Sequence, residues 1–357
     1  MKKNCNENIF WFREKEKQFL SSGETEMPKL SIIIPTLNQG VFIEDTLCSV
    51  IHQNYPNIEI IVVDGGSTDN TLEILSRYKE HIPILISEAD KGQAEAVNKG
   101  LRKASGEIII WINSDDFFTK DAFHTIAKTF NEHADINCVC AREIRIDFKD
   151  KIANYSFGST VHEKPEDNIV YAHIDQPSTF FRRSVFDKVG LLNESLQFFL
   201  DTEFWIRYLL HFSSEQIISI PDRVVVFRYH KGSKTISSLP RFFEEGKLIL
   251  TEIARASGGN NEILQSIQST TSHTYRFTER ALLSKINANR LVILIEKKYS
   301  GYSNDPSRIY LETGNFFYYM NLKSVALVYL RRAICIRPLK FLNYKTFVKA
   351  LLFSPGA

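Results

Sequence analysis

The stretch LSIIIPTLNQG, residues 30–40, sets the fold. Leu30 to Pro35 is a short apolar run rich in β-branched side chains, and it stops at a turn. Such a run reads as a strand buried on both faces of a parallel sheet. The period then changes: in Gly40 to Gln53, the residues Phe42, Ile43, Leu47, Val50 and Ile51 share a helical face. The same change recurs downstream. IEIIVVD (Ile58 to Asp64) is followed by a helical pattern from Asp69, carrying Leu72, Ile74, Leu75 and Tyr78. IPILISE (Ile82 to Glu88) is followed by one from Gly92 to Ala104. EIIIWI (Glu107 to Ile112) runs into NSDD. Strand and helix alternating at about 25-residue spacing predict an α/β fold with a Rossmann-like, mostly parallel, doubly wound sheet and right-handed crossovers.

Sheets of this kind bind ligands at the carboxyl ends of their strands. The polar residues sit at those ends: Thr36 and Asn38 after the first strand, Asp64 after the second, Asp115 and Asp116 after the fourth. That coincidence predicts a ligand crevice there.

Bulk properties narrow the class. At 357 residues the chain suits one domain of roughly 200–250 residues plus an appendage. A net charge of +2 gives no global attraction to nucleic acid, so none is expected as a partner. Charge is nevertheless uneven. After Gly301, Arg308, Lys323, Arg331, Arg332, Arg337, Lys340, Lys345 and Lys349 face only Asp305 and Glu312. The cysteines, Cys5, Cys48, Cys138, Cys140 and Cys335, are odd in number and lack zinc-finger spacing, so a disulfide framework is not expected and a reducing compartment fits. Residues 1–20 lack the apolar core of a signal peptide, and no stretch approaches the roughly 20 apolar residues of a membrane span.

The regular alternation weakens after about Cys138. CVCAREIRID reads as a strand, Asp150 to Asp175 as irregular, and STFFRRSVF as a strand leading into a short helix. DTEFWIRYLLHF is an amphipathic helix and RVVVFRYH a strand. From Pro240 onward the pattern is helical, over Arg241 to Ala256, Thr278 to Lys298 and Tyr310 to Ile336. Three segments follow: a polar leader over 1–28, an α/β domain over 29–238 and a helical region over 239–357.

Five groups of residues carry chemistry. In NSDD, Asn113 to Asp116, adjacent carboxylates at a strand end repel unless a cation sits between them. A divalent ion holding a diphosphate suits Asp115 and Asp116, and a helix cap is the other reading. In VVDGGSTD, Asp64 precedes two glycines that let a ligand approach the backbone; a nucleobase or ribose contact and a plain turn both fit, with Asp69 as the helix cap. Lys91, Gly92 and Gln93 open a helix whose N–H groups favour anions, with Asn98 further along it. In LDTEFWIR, Asp201 and Trp205 share a helical face, so Asp201 is a general base beside an apolar wall or a cap. In FRYHKGSKT, Arg228 and His230 share a strand face, where His230 is a metal or phosphate ligand or a structural histidine.

Taken in order, SIIIPTLNQG, IIVVDGGSTDNT, DKGQAEAVNKGL, ASGEIIIWINSDD, QPSTFFRRSVFDKVG and LDTEFWIR resemble family 2 glycosyltransferases, which have the GT-A fold. The resemblance runs from about Leu30 to Thr235. It implies a GT-A domain with a helical C-terminal extension. It also implies a donor site formed by Pro35, Thr36, Asn38, Asp64, Lys91, Gly92, Gln93, Asn98, Asn113, Ser114 and Asp115. Asp116 is implied as the principal metal ligand, with Asp115 and His230 beside it, for Mn²⁺ or Mg²⁺. Asp201 is implied as the catalytic base of an inverting transfer, and Gln176, Glu203, Trp205 and Arg228 as the acceptor side. Relatives often carry Asp where this chain has Asn113, and an acid where it has Leu200.

The implied activity is a hexosyltransferase-like transfer of sugar from a nucleotide-sugar, with UDP the favoured nucleotide, to a hydroxyl of a glycan or lipid-linked glycan in cell-surface polysaccharide synthesis. A nucleotidyltransferase needs a glycine-rich phosphate loop where this chain has PTLNQG. A non-catalytic sugar-nucleotide or glycan binder would not need Asp64, Asp115, Asp116 and Asp201 together. The absence of QxxRW and of membrane spans argues against a processive synthase. A cytoplasmic enzyme is expected, held at the inner face of the membrane by its basic tail, with a homo-oligomer contact as that tail's alternative use.

Overall fold

The computed structural model describes residues 27–147, 149–261, 280–299, 327, 330, 331 and 334. The polar leader, the basic tail and the helix expected over residues 310–336 lie almost wholly outside them. In chain order the elements are β1 (Leu30–Thr36), α1 (Ile43–Ile51), β2 (Ile58–Asp64), α2 (Thr71–Arg77), β3 (Ile84–Ser87), α3 (Gln93–Lys103), β4 (Ile108–Trp111) and β5 (Phe117–Phe118). Then follow α4 (Ala122–Glu132), β6 (Cys138–Ile146), β7 (Ile152–Tyr155), α5 (Pro165–Val170), β8 (Thr179–Arg182), α6 (Ser184–Val189), α7 (Leu200–His211) and β9 (Ile217–Arg228). The last described are α8 (Lys234–Ser237), α9 (Leu239–Ala256), α10 (Arg280–Leu283) and α11 (Ala288–Tyr299). They form two compact units. One takes the described residues up to Ile146 with Tyr155–Glu163 and Ala172–Arg228; the other takes Asp147–Asn154, Lys164–Tyr171 and those from Tyr229 onward.

In the first unit eight strands lie in the order β3-β2-β1-β4-β8-β6-β9-β5. Strands β1 to β4 are mutually parallel, as the strand–helix alternation requires. The far half is mixed. Gln176 Nε2 donates to the carbonyl of Trp111 at 2.7 Å, which brings the chain to the carboxyl end of β4. Strand β8 therefore starts there and runs back antiparallel, pairing Ile109 with Phe181 and Ile108 with Arg182. The two-residue period sorts the core. Leu30, Ile32 and Ile34, with Ile60, Val62 and Ile110, pack against α1, α2 and α4 through Leu47, Val50, Ile74, Phe123 and Ile126. Ile33, Ile61, Val63 and Ile109 face α3 through Ala96 and Leu101. Helix α3 approaches closely because residue 100 is glycine: a Cβ there would lie 2.5 Å from Ile33 Cγ2.

The amino ends of the strands are tied by one carboxylate. Glu59 accepts from the Ser31 hydroxyl at 2.5 Å and from the N–H groups of Ser105 at 2.6 Å and Gly106 at 3.1 Å. It also pairs with Lys29 at 2.8 Å. Burial alone would push its carboxyl up, but Lys29, Ser31 and Ser105 hold it down at about 2.

The stretch expected to be irregular contains β7 and α5, and β9 begins at Ile217, earlier than its apolar run suggested. The helix expected over Thr278 to Lys298 is divided into α10 and α11. Asn287 starts the second: its Oδ1 accepts the N–H of Arg290 at 3.0 Å. In the second unit α11 is fastened to α5 by Arg290–Asp167 at 2.8 Å and by the N–H of Asn287 on Glu166 at 2.8 Å. Ile249, Ile253, Leu291 and Ile295 are buried. Cys138 and Cys140 are free and buried on β6.

Candidate active site

Strand order reverses direction between β1 and β4, the switch point where a crevice opens outside the carboxyl ends. The loop after β4 is built from the sheet outward. The N–H of Ile112 still bonds to Ile33, extending the ladder past Trp111, and the N–H of Asp116 turns back onto Asn113 at 3.2 Å. Helix α1 braces this loop. The Thr46 hydroxyl lies 3.0 Å from the Ser114 carbonyl and 2.7 Å from that of Asp116, and Ser49 Oγ accepts the N–H of Phe118 at 3.1 Å. Neither residue was singled out in the sequence, although both are polar positions on a buried helical face.

Asp116 is enclosed. Its Oδ1 accepts the N–H of Arg228 at 2.9 Å, and its Oδ2 is buried without a hydrogen-bond partner. Burial and then the neighbouring Asp115 raise its carboxyl well above the ordinary range, against the Arg228 N–H. Asp115 is half-buried. Two further buried polar atoms nearby in the topology lack partners: Thr36 Oγ1, at the end of β1, and Trp111 Nε1, at the end of β4. Buried polar groups are normally paired, so three orphans at adjoining strand ends point to a polar ligand.

Other predicted residues frame the crevice. Pro35 is buried in β1 opposite Val63. Asn38 is left-handed (φ 53°), with Oδ1 accepting the N–H of Thr68 at 2.8 Å and its own N–H on Ser67 Oγ at 2.7 Å. Gln93 Nε2 donates to Asn113 Oδ1 at 2.6 Å, joining the first turn of α3 to the carboxylate loop. Gly92 has φ +145°, a conformation suited to glycine, and Lys91 is exposed. Asp69 was expected to cap α2; the N-cap is Asn70, and Asp69 just before it holds the helix start, its Oδ1 accepting the N–H of Thr71 at 3.0 Å and its Oδ2 that of Gly40 at 3.0 Å. Asp90, not singled out, accepts the N–H of Gly92 at 2.9 Å and is raised by burial.

Several of the predicted residues are bonded within the protein. Asp64 is enclosed and accepts the N–H groups of Gly66 and Ser67 and, at 2.8 Å, the hydroxyl of Ser87, bonds that shape the Gly65–Gly66 turn. Asn98 is buried and spent on the chain between α6 and α7, donating to Leu192 O and Glu194 and accepting the N–H of Leu192. The acceptor-side set is largely internal. Glu203 is buried and paired with Arg207 at 2.6 Å. Trp205 is buried, stacks on Tyr208 and donates to Thr160 O at 3.2 Å. Gln176 is buried on β4. Arg228 is buried too, its guanidinium over the rings of Phe42 and Phe117 and paired with Asp45 at 3.1 Å. His230 falls in the second unit. Among the described residues no group of three or more His, Cys, Asp or Glu side chains is arranged to hold a metal ion, which leaves the carboxylate pair as the metal candidate.

Asp201 sits in the first turn of α7. Its Oδ1 accepts the N–H of Thr202 at 2.6 Å, and burial raises its carboxyl despite Thr202 and the opposing charge of His173. His173 belongs to a cluster the sequence did not disclose: Arg145 bonds Glu143 at 3.1 Å and Asp175 at 2.7 Å, and Asp175 bonds His173 at 3.1 Å.

The fold is that of the GT-A class. It superposes on the crystal structure of residues 1–349 of S. aureus TarS with a TM-score of 0.53 at 17% identity, over 90% of each chain. The profile described as "Glycosyl transferase family 2" matches residues 31–190, from β1 to the residue after α6, and that part of the chain is a family 2 glycosyltransferase domain. Among curated relatives, a PGL/p-HBAD biosynthesis glycosyltransferase of Mycobacterium bovis is 28% identical over 209 residues, 57% of this chain and 77% of that one. The glycosyltransferase GlyA of Streptococcus pneumoniae is 29% identical over 220 residues, 57% of this chain and 31% of that one. Asp201 lies beyond the profile match.

Proposed function

We propose that this glycosyltransferase takes a sugar from a UDP-sugar and places it, with inversion, on a hydroxyl of a glycan or lipid-linked glycan of the cell surface. The observation that carries the reading is the buried, unpartnered Oδ2 of Asp116 beside Asp115 at the switch point. Mg²⁺ and Mn²⁺ are held by one or two carboxylates plus substrate phosphates, so this pair fits such an ion without a third protein ligand. When bound, the ion would supply Lewis-acid stabilisation of the leaving diphosphate. The TarS structure solved in complex with UDP-GlcNAc, also at a TM-score of 0.53, supports UDP as the nucleotide.

In this reading Thr36 and Asn113 contact the nucleotide and Gln93 orients Asn113. Asp201 takes the proton from the acceptor hydroxyl as its oxygen bonds to the anomeric carbon, while the nucleoside diphosphate leaves from the opposite face. The oxocarbenium-like transition state is that of glycosyl transfer in general. We place the transferase domain at 29–238; the described helices beyond it are α9, α10 and α11. The described residues include no helix long and apolar enough to cross a membrane; contact with a membrane surface falls to the basic stretch after Gly301.

Calorimetric titration of UDP, GDP and dTDP, each with and without Mn²⁺, tests the donor site. Metal-dependent binding of UDP is expected. A folded protein that binds none of the three would overturn the reading.

A further inference from the structure

Gln176, Glu203, Trp205 and Arg228 are buried, and Trp205 holds a surface loop through the carbonyl of Thr160. That surface is organised by Asp175. Its Oδ2 accepts the N–H of Gly158 at 3.1 Å, its Oδ1 takes the imidazole of His173 at 3.1 Å and Arg145 at 2.7 Å, and its own N–H goes to Ser159 Oγ at 2.9 Å. Around it the N–H of Thr160 bonds to His173 O at 2.9 Å, and Ser156 Oγ accepts the N–H of Glu143 at 2.7 Å. Gly158 has φ +88°, which a side chain would strain. The loop Ser156–Thr160 is thus fastened on both sides of Phe157, and Phe157 itself is 95% exposed, more than any other large apolar side chain among the described residues. A lone exposed apolar side chain needs no explanation. This one stands on a loop fixed by a buried carboxylate, and the same carboxylate holds a half-exposed histidine next to it.

The loop also lies against the helix of the proposed base. Trp205, one turn after Asp201 on α7, donates to the carbonyl of Thr160, whose own N–H bonds to His173 O. We propose that Phe157 and His173 form the acceptor subsite: the Phe157 ring stacks on one face of a pyranose, and the imidazole of His173 hydrogen-bonds a hydroxyl of the same ring beside Asp201. The pair suits a sugar, which offers an apolar ring face and polar edges at once; an apolar lipid chain alone would leave His173 unused. Asp175 engages the imidazole through Nε2 at 3.1 Å, which leaves the other ring nitrogen, Nδ1, to bond the hydroxyl.

This inference rests on the transferase reading, and its test separates the two. The full chain with UDP and Mn²⁺ is titrated with the methyl glycosides of glucose, galactose and N-acetylglucosamine, followed by saturation-transfer NMR. At least one glycoside is expected to receive saturation at its ring C–H protons. F157A should weaken that binding about tenfold, F157W should retain it, and H173A should weaken it while leaving ring-face saturation. UDP affinity should be unchanged in all three. Equal glycoside binding in wild type and F157A, or no glycoside bound by a wild type that binds UDP, overturns the subsite. Failure of wild type to bind UDP overturns the transferase reading beneath it.

Discussion

The backbone N–H of Arg228 donates to Asp116 Oδ1 at 2.9 Å across 112 positions of chain. The end of β9 thereby fixes one oxygen of the carboxylate and leaves the other buried without a hydrogen-bond partner. Asp116→Ala should abolish Mn²⁺-dependent UDP binding, and Asp116→Asn, which keeps the Arg228 bond but not the charge, should lower it by at least about tenfold. Titration calorimetry reads both; unaltered metal dependence in Asp116→Asn would remove this carboxylate from the metal set.

Asp201 predicts a kinetic result. Asp201→Asn should lower kcat by about 10²- to 10⁴-fold, the usual contribution of a general base, with UDP affinity unchanged. Because burial raises its carboxyl, the wild-type rate should fall on acidification from a pH above the ordinary Asp range, as Asp201 takes up a proton. A pH–rate profile flat down to pH 4 would contradict that.

Glu59 predicts a pH dependence of stability at the other end of the sheet. Its carboxyl is held down at about 2 against 4.5 unperturbed. The stabilisation is therefore present above about pH 4.5 and is lost as pH falls through 2. Glu59→Gln should lose roughly 3 kcal/mol at pH 7, a difference from wild type that shrinks in acid. Denaturant unfolding at pH 7 and pH 3 measures both.

Asn98 was expected near the nucleotide and instead bonds the backbone of Leu192 on both sides. Asn98→Leu should destabilise by about 1–3 kcal/mol, because the buried Leu192 groups lose their partners, while UDP affinity stays at the wild-type value. Weaker UDP binding in a folded Asn98→Leu would return the residue to the donor site.

The first half of the fold was legible because a parallel sheet covered on both faces writes itself as apolar runs separated by helical periods. LSIIIP, IEIIVVD and EIIIWI each became a strand within a residue or two. Strand β8 carried no sign of its direction, since reversal depends on Gln176 reaching the end of β4. The carboxylate loop was legible for the same reason as its strand. On the acceptor side, helical spacing puts Asp201 and Trp205 on one face without saying which way that face looks. Trp205 looks inward, onto Tyr208 and Thr160. The Asp175 cluster was invisible because its members come from three separate segments, with Arg145, Gly158 and His173 each ordinary in its own context.

The loop around Phe157 is fastened by main-chain N–H groups, serine hydroxyls and one buried carboxylate, and none of those fastenings involves the side chain at 157. That position is therefore interchangeable: tryptophan, tyrosine or a small polar residue can be grafted there with little penalty to folding. An enzyme built this way can drift in its choice of partner through a single codon, and a saturation library at residue 157 samples that drift directly.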